Sequence, residues 1–298
     1  MTATGSGEAR LGRLLTRRRL SPLVRLGPLT LYMLIFFVIP VGTFLLYSFW
    51  TVREWDVVRV WNLGNYREVF TSPVYPRLIM RSLAVGAVTA ILSVVVVYPL
   101  AYTLVFRLER YRDLILFLLT ISLFSNYVVR IYAWRSILSA NGLVNYLLMG
   151  LRLADGPRSY LIHTPWAVVV VLLNVYIPFA TLPIFSALLN IERDVLDAAS
   201  DLGANPVRTF WQVTLPLSMP GVMAAFSFIF LLSAGDFVTP ELVGGINGMM
   251  IGNAVATQFG MVSNWPLGAA MVFSTILVIV LALAAWLVGQ RGLRLLRV

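Results

Sequence analysis

The 298 residues contain no cysteine and no lysine, and histidine occurs once, at position 163. Without cysteine there are no disulfides, thiolate metal sites or cysteine nucleophiles. A single histidine excludes multi-histidine metal sites. Without lysine there is no GxxxxGK[ST] loop, so the chain has no phosphate-cradling ATP site of the usual kind. Charge is also scarce: charged residues are 12% of the chain, about half the share in a typical soluble domain. What replaces charge is apolar surface, at 59%, against roughly 45–50% in soluble proteins. A soluble core of this size has no use for so much, so lipid must be the solvent for much of the chain. All 23 basic residues are arginine and the formal net charge is +10. Such an excess can mark a nucleic-acid binder, but no basic face or RNA module accompanies it.

A bilayer core of about 30 Å takes roughly 20 apolar residues in a helix. Runs of that order cover 29–50, 82–106, 165–191, 215–235 and 266–290. A sixth starts at 114 and passes Tyr127, Arg130 and Arg135 before ending near 138. The expectation is an all-α polytopic membrane protein with six transmembrane helices. Pro40, Pro99, Pro178 and Pro183 fall inside spans, where each removes a donor and is expected to kink its helix. Such breaks suit a cavity that changes shape, although prolines are also common in membrane helices generally.

Arginine distribution sets the orientation. Six arginines precede the first span, and the 2–3 connection, the 191–216 interval and the C-terminal end raise that side to fourteen, against nine opposite. Both termini are therefore expected in the cytoplasm. Residues 1–27 read as a basic cytoplasmic tail lying against anionic headgroups, and 291–298 as a second basic tail. Residues 28–80 read as the first transmembrane helix and an extracytoplasmic loop, and 81–290 as the remaining transmembrane domain. The first run is too long for a signal-peptide core, and Tyr47-Ser48-Phe49-Trp50 offers no small-residue cleavage site, so it is expected to remain as an anchor.

The cytoplasmic interval 191–216 carries the strongest local pattern. Ile191, Val195, Leu196, Ala199 and Leu202 recur at helical spacing, with Glu192, Arg193, Asp194, Asp197 and Asp201 on other faces. Gly203 sits where a left-handed C-terminal cap belongs. Asn205-Pro206 reads as an N-cap followed by proline at the first helical position, opening a second short helix with Val207, Phe210, Trp211 and Leu215 on its apolar side. Pro216 and Pro220 are expected to bracket re-entry into the membrane. A surface hairpin that only covers span ends would explain the amphipathicity but not the spacing that follows.

Asp197-Ala198-Ala199, then Gly203, then after nine residues Val213, and finally Leu215-Pro216 resemble the EAA loop of ABC importer permeases, with Asp197 in place of glutamate and Val213 in place of isoleucine. The resemblance implies a type I importer permease fold in a bacterial cytoplasmic (inner) membrane. It also implies that Asp197, Ala198, Ala199, Gly203 and Pro216 belong to the element that couples the spans to a separate ATPase. ATP and magnesium would then sit on partner subunits, with no cofactor, metal or catalytic residue on this chain. The implied partners are a second permease subunit, with a different chain favoured, two ATP-binding subunits, an extracytoplasmic solute-binding protein and membrane lipid.

Three further stretches, Asn126–Arg135 with Asn141-Gly142 and Asn145, Gly235–Gly245 with Ile251-Gly252-Asn253, and Trp265–Ala270, resemble the spermidine/putrescine branch of these permeases. Opine carriers and other relatives share similar motifs. A small cationic solute is accordingly expected, with Asp236 and Glu241 as acidic contacts. Tyr127, Tyr132, Trp134, Asn174 and Tyr176 are candidates for lining the route, where the Tyr and Trp rings could add cation–π contacts. The alternative is that Asp236 pairs with Arg130 or Arg135 at the outer interface and the aromatics form a belt. A polytopic enzyme would need a convergent nucleophile, base or metal site, yet cysteine is absent and the one histidine has no metal-ligand neighbour such as HExxH. An ion-coupled carrier would leave the EAA-type loop unexplained and shows no clear inverted repeat.

Overall fold

A computed structural model of the chain describes residues 27–54, 56–154, 156 and 161–295. All of the expected N-terminal tail but Gly27, and the last three residues of the C-terminal one, lie outside these. The chain is mostly helical. Among the described residues, five helices are long and apolar enough to cross a membrane: α1 (Gly27–Tyr47), α3 (Tyr75–Phe106), α7 (Pro165–Leu189), α9 (Pro206–Ala234) and the Trp265–Ala282 part of α11 (Trp265–Leu295). Between α1 and α3 lie a two-stranded antiparallel hairpin, β1 (Thr51–Arg53) and β2 (Asp56–Val58), and the short helix α2 (Gly64–Thr71).

The expected span over 114–138 is not one straight helix. It is divided into α4 (Glu109–Phe124) and α5 (Tyr127–Leu138), the latter followed by α6 (Leu143–Gly150), and the two legs meet at 96°. Ser125 is extended and Asn126 lies outside the helical region, its side chain capping the new helix by accepting from the backbone N–H groups of Val128 and Val129. Arg130 then staples the legs, donating to the Ser122 carbonyl in the last turn of α4 and to the Val175 carbonyl of α7. Carbonyls of a last helical turn lack intrahelical partners, and a cation there meets the negative end of the helix dipole. The sixteen residues of α4 extend about 24 Å at 1.5 Å per residue, so this leg alone falls short of a bilayer core.

Prolines bend the expected rules less than their number suggests. Pro99, Pro178, Pro183 and Pro220 all lie inside uninterrupted helices. In α1 and α9 a wide π-helical turn, Leu34–Val38 and Phe210–Thr214, ends just before Pro40 and Pro216. There Ile39 and Leu215 donate to the carbonyls of Leu34 and Phe210, five residues back, and the wider turn makes room for the ring that follows.

The core is the mutual packing of α3, α7 and α9. It is built from Val97, Ala101 and Leu104 on α3, Leu172, Ile184 and Leu188 on α7, and Ala225 and Ile229 on α9. In lipid, close helix approach depends on small residues rather than on a hydrophobic drive. Gly221 supplies one such contact, its Cα facing Ala187 and Pro183 of α7. A second cluster joins α2, the start of α3, α10 (Ile251–Phe259) and α11 through Val69, Ile79, Ile251, Leu267 and Met271. Helix α1 stays at the periphery with none of its apolar window buried, touching α11 where Phe44 stacks on Trp265.

Candidate coupling surface and candidate solute site

The 191–216 interval folds as its sequence predicts up to Asn205. Helix α8 (Arg193–Asp201) ends as Leu202, Gly203 and Ala204 donate to the carbonyls of Ala198, Ser200 and Ala199. Gly203 takes φ +82°, the left-handed region that β-carbons disfavour. Asn205 accepts from the Arg208 backbone N–H at 2.8 Å, with Pro206 at the first helical position. From there the structure departs from expectation. The second helix does not stop before the membrane: Pro206 to Ala234 is one continuous helix, α9, with Pro216 and Pro220 inside it.

The apolar residues of this interval also divide differently. Ile191 is buried, and Leu196 packs against the core. Val195 is exposed, and Leu202, 89% exposed, points away from the protein. The outward surface therefore carries Asp197, Ala198, Asp201 and Leu202, with Val207 and Trp211 exposed on the first turns of α9. Arg193 anchors α8 to Glu109 at the start of α4. Phe210 roots the base of α9, meeting Tyr98 and Tyr102 of α3 edge-on at centroid distances of 5.7 and 6.0 Å. About two turns further along α9, the hydroxyls of Tyr98 and Ser218 are 2.8 Å apart in a buried contact. The exposed Trp211 ring meets Phe210 edge-on at 5.4 Å, which links this part of the outer surface to Tyr98 and Tyr102 of α3.

At the other end of α9, Asp236 is only 8% exposed. Its Oδ1 accepts from the backbone N–H of Val238 at 2.9 Å and of Thr239 at 3.5 Å. Its Oδ2 accepts from the Thr239 hydroxyl at 2.6 Å and the Tyr127 hydroxyl at 2.5 Å. Donors on both oxygens suit an ionised carboxylate, which can only accept. The alternative of an ion pair with Arg130 or Arg135 is not what forms: among the described residues the ion pairs are Arg112–Asp113 and Arg193–Glu109, and Arg130 is engaged by the Ser122 and Val175 carbonyls.

Tyr127 and Tyr176 line a cavity of about 330 Å³ together with Arg130, Phe179 and Phe228. The rings of Tyr176, Phe179 and Phe228 follow one another at 6.3 and 5.9 Å. The structure thus brings Tyr127, Tyr176 and Asp236 together. The remaining sequence candidates are placed elsewhere. Glu241 is exposed and takes a hydrogen bond from Asn253 Nδ2 at 2.9 Å, a donor shared with the Phe237 carbonyl. Tyr132 and Asn174 are exposed, and Trp134 packs on the core. Thr239, absent from the sequence candidates, completes the carboxylate's surroundings. Its signal was an aspartate followed three residues later by threonine and then proline, a helix-start pattern.

A family model described as "Binding-protein-dependent transport system inner membrane component" matches residues 11–291. The spermidine/putrescine transport system permease protein PotB of Escherichia coli is 34% identical over 250 residues, covering 84% of this chain and 89% of that protein. The inner membrane ABC transporter permease protein YdcU of the same organism is 31% identical, covering 88% and 87%. Among solved structures, a chain of a bacterial ABC transporter involved in the import of the acidic polysaccharide alginate superposes with TM-score 0.69 at 18% identity, over 95% of this chain and 99% of that one. A chain of the MetNI methionine ABC transporter in inward-facing conformations gives 0.52 at 17%, over 74% and 94%.

Proposed function

Because this chain belongs to the family of binding-protein-dependent transport system inner membrane components, we propose that it forms half of an ATP-driven import pathway for a polyamine such as spermidine or putrescine. The supporting observation is the buried Asp236 carboxylate, one hydroxyl away from an aromatic-walled cavity. Aromatic faces and a fixed negative charge both favour an organic cation in a site of low dielectric. In this reading six spans cross the membrane, the α4–α5 pair counting as one broken span, and both termini lie in the cytoplasm. The chain hydrolyses no ATP. One of two ATPase subunits docks on the surface around Asp197, Ala198 and Leu202, a second and different permease chain completes the pathway, and a solute-binding protein delivers cargo from outside.

A second reading has one observation in its favour. Arg130 lines the same cavity, and a fixed guanidinium suits a solute that carries a carboxylate beside its amine, as an opine does.

The test is ATP-driven uptake by the reconstituted complex, with labelled putrescine and spermidine competed by opine-type carboxylates. Polyamine uptake that falls in Asp236→Asn, in complexes that still assemble, supports the first reading, and a fall in Glu241→Gln as well would extend the route to that exposed carboxylate. Uptake competed only by carboxylate-bearing solutes supports the second. Wild-type polyamine rates in Asp236→Asn overturn the carboxylate argument, and in Glu241→Gln they remove that residue from the pathway.

A further inference from the structure

Four donors converge on Asp236, and they differ in what it takes to withdraw them. Three belong to its own turn: the Val238 and Thr239 backbone N–H groups and the Thr239 hydroxyl. Losing any of these disturbs the start of the helical segment that follows. The fourth, the Tyr127 hydroxyl, comes from 109 residues away on α5, and only a side chain must move for it to leave. A second partner is already in place, since the Thr239 hydroxyl lies 2.8 Å from the Tyr127 hydroxyl. The other side of Tyr127 is cavity wall. A solute lodged among Tyr176, Phe179 and Phe228 is therefore separated from the carboxylate by this one hydroxyl.

We propose that Tyr127 is a removable cover on Asp236, displaced when an N–H-bearing ammonium group of the solute takes its place at Oδ2. The inference rests on the polyamine reading and adds how the cation is recognised. An ammonium brings a full positive charge as well as a donor, so at low dielectric it outcompetes a neutral hydroxyl for the same oxygen. Arg130 makes this exchange necessary, because its charge opposes a cation in the cavity that gains no contact with a carboxylate. A quaternary ammonium carries the charge but has no N–H to offer, so it leaves Tyr127 seated. The selected class is thus protonated amines that keep an N–H, and quaternary ammonium ions are excluded.

The experiment is equilibrium binding of labelled putrescine to the purified complex without its extracytoplasmic binding protein, with the permethylated, bis-quaternary diamine as competitor. Removing the competing donor in Tyr127→Phe is expected to tighten putrescine binding about fivefold, the worth of one ordinary hydrogen bond. It should also let the permethylated diamine compete, which it does not in the wild type. In the Tyr127→Phe, Asp236→Asn double variant the gain should vanish, as coupled residues require. A merely structural role for Tyr127 would weaken binding or assembly instead. Tyr127→Leu serves where the phenylalanine variant does not assemble. Unchanged or weaker binding in an assembled Tyr127 variant overturns the cover, as does effective competition by the permethylated diamine in the wild type. If such a complex still imports polyamines, the proposed function survives. Absence of both putrescine binding and putrescine import in the wild type overturns the two together.

Discussion

Gly221 of α9 lies so close to Pro183 of α7 that a Cβ built at 221 would stand 2.5 Å from the Pro183 carbonyl oxygen and 2.4 Å from the Ala187 Cβ. The obstacle on one side is backbone, which cannot rotate away. Gly221→Val is therefore expected to force two of the three core helices apart at a cost of about 1–3 kcal/mol. The thermal midpoint of the detergent-solubilised protein should fall, and the yield of assembled complex with it. A midpoint equal to wild type would mean that this helix pair is not held at the observed distance.

Arg130 makes a different kind of contact, a cation bridging the α4 carbonyl of Ser122 and the α7 carbonyl of Val175 across the 96° bend. Replacing it with leucine removes the donors and leaves Ser122 with a single contact, the Ser125 backbone N–H at 3.3 Å. The expected loss is about 1–3 kcal/mol, typical of hydrogen bonds to a charged group. Arg130→Lys should recover only part of it, since an ammonium is a point donor and not a fork that reaches two acceptors. Equal midpoints for arginine, lysine and leucine would show that the bend is held by other means.

The two junctions differ in how much of them could be read from the chain. The Gly203 turn was legible because its causes are local: a glycine at the cap position, then asparagine and proline two and three residues on. Five spans were legible because a bilayer demands length, and length is visible in one dimension. The α4–α5 bend was not, because its local sign is only an asparagine cap inside an apolar run, and its staple depends on Val175, 45 residues away. The continuity of α9 through Pro216 was hidden for another reason. A proline reads as a helix end, and the π-helical turn that accommodates it leaves no mark in the sequence. At Asp236 the cap to Thr239 was readable, but Tyr127 reaches it only through the tertiary fold, and Arg130, one of the two arginines proposed as its partner, serves carbonyls instead.

The coupling surface should be separable from the solute site. Gly203 has φ +82° and open space around its missing Cβ, so valine there meets no neighbour and acts through backbone strain alone. Such strain in a β-branched residue is on the order of 1–3 kcal/mol, enough to unwind or reorient the end of α8 and with it the exposed Leu202. Phe210, Tyr98 and the buried Tyr98–Ser218 contact lie inward of this turn and keep their packing. Gly203→Val is therefore expected to lose solute-stimulated ATP hydrolysis and transport while the loaded binding protein still docks. Asp197→Arg should behave similarly by reversing charge on the outward surface of α8 without touching the core. The measurement is ATPase stimulation in reconstituted complexes, alongside docking of the binding protein. Normal stimulation in both variants would mean that this surface does not carry the signal, and loss of docking in either would mean that the two faces of the protein are not independent.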